Sequence, residues 1–460
     1  MTRYRSISEL RTHDAGTARA QAESVLNDLD TIGRKLDAVT HLDREFTLSQ
    51  AANSVAIDGD LTGVPLAHKE LFRREGWPDE GGSRSHQGRL AHETATVIQK
   101  IDKAGAIDCG RLVSVEFALG VTGHNAYAGT PKNPWNRSYV CGGSSSGSAA
   151  VVAAGIVPAA LGSDTGGSIR LPAAACGLVG VKPSQGFVSR NGVFPLSGSL
   201  DTIGPLARST EDACRLLMTI HGGDNADIES LDTPLNLDLA GLDDGIDGLR
   251  IGRSEKYFLD GSDAVVADVA DQVIGETEKM GGQIISTSIP GIETTNALNF
   301  LIIATEAAHI HLDTVLTSHH LMNEQTVMRI LAGLFTTDAE YRKLLAHRAQ
   351  YARQTIAALF EKIDILITPV WPILIPTIEA SDTGANPDAA PLVQWIGHNT
   401  RPFNFLGLPA VSVPVGLDRN GLPLAVQLVG RPFSEMMLLR CARALERHYS
   451  FWERKPDDLQ

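Results

Sequence analysis

The sequence lacks the long apolar run that a membrane span requires. Within its 460 residues, no stretch reaches about eighteen uninterrupted apolar positions. Residues 1–29 alternate polar and apolar side chains at helical spacing, without the apolar core of a signal peptide. We therefore expect a cytoplasmic protein with no membrane partner.

Clustered positive charge is also missing. Lys and Arg number 40 against 54 Asp and Glu, which gives a formal net charge of −14. Binding to a phosphate backbone needs clustered basic residues that release counterions. The composition therefore argues against a nucleic-acid partner.

Cysteine is scarce, and neither cysteine nor histidine predicts a metal site. The five cysteines are scattered, odd in number and without a C-x-x-C pair, so buried thiols are expected. His309 and His311 are two residues apart, and such residues point to different faces of a helix. Zinc sites need fixed short spacings that a carboxylate or cysteine completes. We expect no metal and no cofactor, and the role of the histidine-containing segment 309–320 stays open.

The composition that remains is typical of a globular protein, with 43% hydrophobic and 20% charged residues. From Asp60 onward, short apolar runs bounded by Gly and Pro alternate with helical patterns, which is typical of an α/β sheet buried on both faces. Before that point, residues 1–60 form an N-terminal helical segment, in which Ser6 and Glu9 are spaced as a capping box. No break in composition divides 1–460, so we predict a single domain.

One glycine- and serine-rich stretch, "YVCGGSSSGSAAVVAAG" at 139–155, contains a formal G-x-S-x-G match centred on Ser145. In an α/β-hydrolase this pattern follows a buried strand and opens a helix. The preceding "GTPKNPWNRSYVC" is rich in Pro, Asn and charge, which is the wrong context. We therefore do not expect Ser145 to be the nucleophile.

A second stretch, "ALGSDTGGSIRLPAAACGLVGVKPS", is a better candidate. An apolar strand runs into a turn at 163–168, where Gly166 and Gly167 permit unusual backbone dihedrals. Consecutive N–H groups in such a turn converge on one point and can stabilise an oxyanion. Ser168 is then a nucleophile beside its own oxyanion hole, and Asp164 and Arg170 flank the turn.

A serine nucleophile needs a base. None of the 14 histidines lies in a comparably specialised context, whereas Lys69 directly follows an apolar strand in "TGVPLAHKELF". Burial disfavours the charged form of lysine and lowers its pKa. Lys69 is therefore the candidate base.

These motifs resemble the amidase signature family. The similarity to its Gly/Ser-rich signature runs almost unbroken over residues 133–209, and weaker agreement includes "LTGVPLAHKELF" and "GLPLAVQLVGRPF". The resemblance implies an α/β amidase signature fold, in which helices cover both faces of a central mixed β-sheet. It also implies a signature core at 131–209. Only 290–360 lacks a counterpart, and in this family that helical region contributes to substrate selection.

The resemblance also assigns roles to single residues. The family's Ser–cis-Ser–Lys triad maps onto Ser168 as nucleophile, Ser144 as bridging serine and Lys69 as base. It implies a cis peptide between Gly143 and Ser144. The implied oxyanion hole consists of the backbone N–H groups of Thr165, Gly166, Gly167 and Ser168, and the implied supporting residues are Gly143, Ser145, Asp164 and Arg170. Arg170 facing a substrate carboxylate and Arg170 bracing the loop both remain open.

The function implied is an amidohydrolase that cleaves a carboxylic amide to an acid and ammonia or an amine, through a Ser168 acyl-enzyme. One alternative is the glutaminase subunit of a tRNA-dependent amidotransferase, although Leu171 and Asn191 stand where such subunits tend to have Gln and Tyr. A second alternative is a carbamate or ester hydrolase on the same triad. We expect a small-molecule amide as substrate; its identity and a homodimer stay open.

Overall fold

The protein, described here by a computed structural model, is defined over residues 4–234, 237–254 and 256–456. Within these ranges the strands are β1 Val39–His41, β2 Pro65–Lys69, β3 Ile107–Leu112, β4 Lys132–Asn133, β5 Asn136–Val140, β6 Ala159–Asp164, β7 Val179–Lys182, β8 Thr202–Ala207, β9 Arg250–Ser254, β10 Gln283–Thr287, β11 Ile365–Pro369, β12 Ala410–Leu417 and β13 Pro423–Gly430.

The helices in the same ranges are α1 Ile7–Leu10, α2 Ala15–Asp28, α3 Arg44–Ser54, α4 Thr96–Lys103, α5 Ser146–Ala153, α6 Arg170–Ala175, α7 Thr210–Ile220, α8 Ala264–Lys279, α9 Thr295–Ser318, α10 Glu324–Ala332, α11 Asp338–Lys362, α12 Ala390–Ile396, α13 Arg401–Phe405 and α14 Glu435–Tyr449.

The central sheet has eight strands in the order β10-β9-β11-β13-β12-β7-β8-β6. Its β10–β9 and β9–β11 pairs are parallel and the others are antiparallel, so the sheet is mixed, as expected. Alternate residues of a strand face opposite sides. In β6, Leu161 joins one hydrophobic core and Ala160 joins the other. Helices cover both cores, which gives the predicted helix–sheet–helix arrangement.

The N-terminal region is helical, but it is not one helix. The capping box of Ser6 and Glu9 forms at the start of α1, which ends at Leu10. Asp14 then accepts a hydrogen bond from the backbone N–H of Thr17 and caps α2. This second cap explains the break, because a residue that caps the start of one helix has non-helical backbone dihedrals and cannot lie within another.

Helices α9, α10 and α11 make residues 295–362 mostly helical, as predicted. The helical run Ile292–Leu321 is long and apolar enough, by length and composition, to cross a membrane, and 39% of its most apolar window is buried in the protein. A core helix passes the same test, and Ile302, Ile303 and Ala307 of α9 belong to a buried cluster. His311 also lies in this helix, where its ring stacks on Phe117 with 4.5 Å between ring centroids.

Three chain segments meet beside β6, against which β2 packs from a separate three-stranded sheet of order β1-β3-β2. Strand β2 ends at Lys69, and strand β6 ends at Asp164, just before the predicted nucleophile turn. The two strands adjoin, because the backbone N–H of Leu161 donates to Nδ1 of His68 at 3.2 Å. Helix α5 begins at Ser146, within the serine-rich stretch and directly after Ser144 and Ser145, and all its residues are buried. The fold therefore brings residues 69, 144 and 168 to one place.

The close packing of α5 predicts an effect on stability. A Cβ added at Gly147 would lie 2.6 Å from the backbone oxygen of Ala38 and 2.6 Å from the backbone nitrogen of Val113, neither of which can rotate away. Gly147→Ala is therefore expected to lower the free energy of unfolding by about 1–3 kcal/mol. Denaturant titration measures this change.

The matched control is Gly275→Ala in α8, where no atom lies within 4 Å of the added Cβ. Alanine is a better helix former than glycine, so this variant is expected to gain up to about 1 kcal/mol. Equal effects of the two substitutions would contradict the packing argument.

Candidate active site

The Lys69 amine lies between two serine hydroxyls. Its Nζ atom donates to Oγ of Ser144 at 2.8 Å and to Oγ of Ser163 at 2.8 Å. All three side chains are buried or nearly so. The arrangement gives the amine two fixed partners and shields it from bulk solvent.

Burial lowers the pKa of Lys69 from its ordinary value to about 7, although the negative charges of Asp201, Glu70 and Asp164 partly oppose the shift. Desolvation penalises an ammonium more than a neutral amine. A substantial fraction of Lys69 is therefore neutral near pH 7. Such an amine can accept a proton from Ser144.

The peptide bond between Gly143 and Ser144 is cis, as the resemblance implies. There is no room for a side chain at position 143, because a Cβ there would lie 2.9 Å from the Gly123 nitrogen and 3.0 Å from the Gly120 oxygen. Glycine is thus required where the chain presents the Ser144 hydroxyl to Lys69. The residues around it are in turn fixed by a hydrogen bond from the Gly143 N–H to the Val121 carbonyl at 2.7 Å.

The predicted nucleophile lies next to this stretch. The backbone N–H of Ser145 donates to the Ser168 carbonyl at 3.3 Å, which ties the serine-rich stretch to the turn. Oγ of Ser168 has no hydrogen-bond partner among the described residues, and the side chain is 5% exposed. Hydrogen bonds of catalytic groups are often long before substrate binds. The hydroxyl thus lies close to the serine-rich stretch, and its hydrogen-bonding capacity is unused among the described residues.

The turn supplies fewer free donors than predicted. The N–H of Gly167 donates to Oδ1 of Asp164 at 2.7 Å, so it is not available to an oxyanion. In the described part of the chain, the N–H groups of Thr165, Gly166 and Ser168 make no such bond. The prediction of four donors is therefore wrong at Gly167, because the Asp164 carboxylate takes that N–H. Three donors remain.

Asp164 and Arg170 form a buried ion pair behind the turn. Both side chains are fully buried, and Nε of Arg170 lies 3.0 Å from Oδ2 of Asp164. The guanidinium donates further to the Thr400 carbonyl, Gln427 Oε1 and Asn404 Oδ1. Burial alone would raise the pKa of Asp164, but the Arg170 charge and hydrogen bonds hold it well below its usual range.

These contacts decide between the two interpretations of Arg170. Its five N–H donors all have partners: two bonds to Asp164 oxygens and one each to Thr400, Gln427 and Asn404. No donor is left for a substrate carboxylate. Arg170 braces the turn.

Three residues at the site were not identified from the sequence. Ser163 accepts the second Lys69 hydrogen bond, Asp201 accepts a hydrogen bond from Oγ1 of Thr165 at 2.6 Å, and Oγ1 of Thr400 donates to the Gly166 carbonyl at 2.7 Å. Ser163 was detectable in principle, since it directly precedes Asp164 at the end of a strand. The other two reach the turn only through pairings distant in sequence.

Two cavities adjoin the site. The first has a volume of about 430 Å³ and is lined in part by Gly120 and Val121. The Val121 carbonyl accepts the hydrogen bond from the Gly143 N–H. The second, about 330 Å³, is lined in part by Ser163 and Asp201. The first has the size of a small-molecule site.

Comparison with known proteins agrees with this geometry. The Amidase family model matches residues 21–439. A glutamyl-tRNA(Gln) amidotransferase subunit of Chromobacterium violaceum is 33% identical over 464 residues, which cover 95% of each chain. The curated relatives thus extend the similarity over nearly the whole chain.

Solved structures agree with the same family. An inhibitor-bound structure from work on a vestigial protein complex and the origins of an s-triazine catabolic enzyme superposes with a TM-score of 0.89 and 31% identity, covering 96% of this chain and 98% of that one. A bacterial aryl acylamidase of the amidase signature family gives a TM-score of 0.88 and 25% identity, with 98% of each chain covered. The chain belongs to the amidase signature family, whose enzymes act on amide carbon–nitrogen bonds.

Proposed function

We propose that this chain is an amidase that hydrolyses a carboxylic amide to the acid and ammonia or an amine, with Ser168 as nucleophile. The observation that carries the proposal is the Lys69 amine, buried and hydrogen-bonded to Ser144 at 2.8 Å. A buried lysine that has two serine partners, and no carboxylate within ion-pair distance among the described residues, is suited to act as a neutral base.

The proposed relay moves protons along a short path. Neutral Lys69 accepts a proton from Oγ of Ser144, which accepts one from Oγ of Ser168 as that oxygen attacks the amide carbon. The N–H groups of Thr165, Gly166 and Ser168 stabilise the oxyanion. The relay then returns a proton to the leaving nitrogen, the carbon–nitrogen bond breaks, and water cleaves the acyl-enzyme by the same route.

The second candidate function is the amidotransferase subunit, and the C. violaceum relative favours it. Purified chain tested alone for ammonia release separates the two functions. Activity on simple amides without partner subunits supports the amidase. Activity that appears only with partner subunits contradicts it.

A carbamate or ester hydrolase remains the other alternative, since the acyl-enzyme is the same whichever group leaves. Amides need the leaving nitrogen to be protonated, and the Ser144 relay provides that proton. Rates on matched amide, carbamate and ester substrates decide the matter. For the location, we propose the cytoplasm, which the five free and buried cysteines support.

The role of the nucleophile gives one prediction. Ser168→Ala is expected to lower amide turnover by more than about a thousandfold and to abolish labelling by a serine-directed phosphonate, because no other serine would form the acyl-enzyme. Ammonia release and intact-protein mass spectrometry measure the two effects. Ser146→Ala is the matched control, since its hydroxyl is buried nearby but has no hydrogen-bond partner among the described residues. Near wild-type turnover by Ser168→Ala would reject the assignment.

The base gives a prediction about pH. Since the relay needs neutral Lys69 and burial lowers its pKa to about 7, kcat/KM is expected to rise through about pH 7 and to fall below it as Lys69 becomes charged. Lys69→Ala is expected to lose most activity, to show the largest loss above about pH 7, where the wild-type amine is neutral, and to lose this acid limb. Steady-state kinetics on wild type and variant, from about two pH units below to two above that pKa, measure the profiles. An unchanged acid limb in Lys69→Ala would assign the titration to another group.

A further inference from the structure

Two arginines beside the turn carry no described acidic partner. In residues 4–234, 237–254 and 256–456, Arg329 makes one hydrogen bond, to the Leu119 carbonyl at 2.7 Å. Arg401 also makes one, to the Gln394 carbonyl at 2.8 Å. Each guanidinium has five N–H donors, so most are unused.

The two charges act on each other and have no counter-charge among these residues. Burial lowers the pKa of Arg329, and burial followed by the charge of Arg329 lowers the pKa of Arg401 to about 10. Both residues are half-buried, and a partly desolvated charge without a partner is costly, the more so beside a like charge. In a protein of net charge −14, this concentration of unpaired positive charge is unusual.

Both arginines adjoin the proposed reaction centre. A Cβ built at Gly166 would lie 3.4 Å from Cγ of Arg401, so this side chain covers the turn that bears the free N–H donors. Arg329 lines the 430 Å³ cavity together with Gly120 and Val121. Arg401 therefore packs on the turn itself, and Arg329 lies in the wall of a cavity that adjoins the serine-rich stretch.

A buried amide next to them also has no partner. Asn299 of α9 is fully buried, and neither its Oδ1 nor its Nδ2 makes a hydrogen bond among the described residues. Nδ2 lies 3.8 Å from the position of a Cβ on Gly166. Buried amides are normally hydrogen-bonded, so this group is available to a ligand.

The acidic side chains that line the same cavity are occupied elsewhere. Glu116 accepts hydrogen bonds from the Ser83 hydroxyl at 2.6 Å and the Asn323 N–H at 3.0 Å. Oδ1 of Asp382 accepts from the N–H groups of Gly384 and Ala385. Neither forms an ion pair with Arg329 in the part of the chain that the structure describes.

We propose that the substrate is an amide that carries a carboxylate, which Arg401 and Arg329 bind while Asn299 hydrogen-bonds the substrate near the reacting carbonyl. The proposal rests on the proposed amidase function and narrows its substrate class. The planar guanidinium fork matches a carboxylate in two parallel hydrogen bonds. An ammonium in the same place would be repelled, so a monoamide of a dicarboxylic acid fits better than an amino-acid amide.

Calorimetric titration tests the subsite directly, because binding does not require the serine to react. Succinate and glutarate are titrated into the full chain, against hexane-2,5-dione and heptane-2,6-dione as neutral analogues of equal length. The dicarboxylates are expected to bind at least about tenfold more tightly than the diones. Arg401→Gln and Arg329→Gln should each remove about tenfold of that affinity, and Arg401→Lys should retain part of it.

Arg342→Gln is the matched control, because Arg342 is exposed on α11 and does not line the cavity. It is expected to bind the dicarboxylates as wild type does. Circular dichroism of each variant separates a lost contact from a lost fold. Equal binding of dicarboxylate and dione by wild type, or unchanged dicarboxylate affinity in folded Arg401→Gln and Arg329→Gln, would overturn the inference.

Rates of ammonia release provide a second test of the proposed substrate class. Glutaramate is expected to release ammonia faster than both glutamine and 5-oxohexanamide, its neutral analogue, and faster turnover of either would contradict the inference. Phosphonate labelling of Ser168 is scored separately. Dicarboxylate binding without labelling would reject the proposed function and keep the anion subsite. Labelling without selective dicarboxylate binding would keep the proposed function and reject the anion subsite.

Discussion

The desolvated amine of Lys69 is the constraint on which the rest of the site depends. An amine held at 2.8 Å from two serine oxygens, and shielded from solvent, exists only if the surrounding backbone approaches closely on every side. Strand β2 delivers the lysine, β6 delivers Ser163, and the serine-rich stretch presents the bridging hydroxyl to the amine. Glycine at 143 and 147 is the consequence, since a single methyl group at either position would meet backbone atoms.

The buried ion pair of Asp164 and Arg170 contrasts with the buried amine of Lys69. Asp164 and Arg170 are buried as deeply as Lys69, but they keep their charges because each charge lies against the other and every guanidinium N–H is satisfied. The site therefore combines a base whose pKa burial lowers to about 7 with a buried ion pair that braces the turn. Oδ1 of Asp164 accepts the hydrogen bond from the Gly167 N–H. The N–H groups of Thr165, Gly166 and Ser168 make no hydrogen bond among the described residues.

The capping box at Ser6 could be predicted from local sequence, and the same reasoning singled out Lys69 and Ser168. The mixed sheet, the cis bond after Gly143 and the bridging position of Ser144 were expected only from the resemblance to the amidase signature family. The break between α1 and α2 could not be read from the helical spacing of residues 1–29, because the Asp14 cap acts through backbone dihedrals and leaves that spacing unchanged. The occupied N–H of Gly167 was missed because its distance to Asp164 depends on the three-dimensional path of the turn. Arg329 and Arg401 are 72 residues apart, and only the packing of α9, α10 and α13 brings their charges together.

The partners of Arg170 have a consequence for how the protein is made. The lysine and both serines of the proposed triad precede residue 169, yet the brace behind the turn needs Thr400, Asn404 and Gln427, which are translated long after them. A nascent chain that already contains every reactive group still lacks the groups that hold the turn. The turn is therefore held in place only once β13, which carries Gln427, has joined the sheet, long after the residues of the proposed triad have been translated.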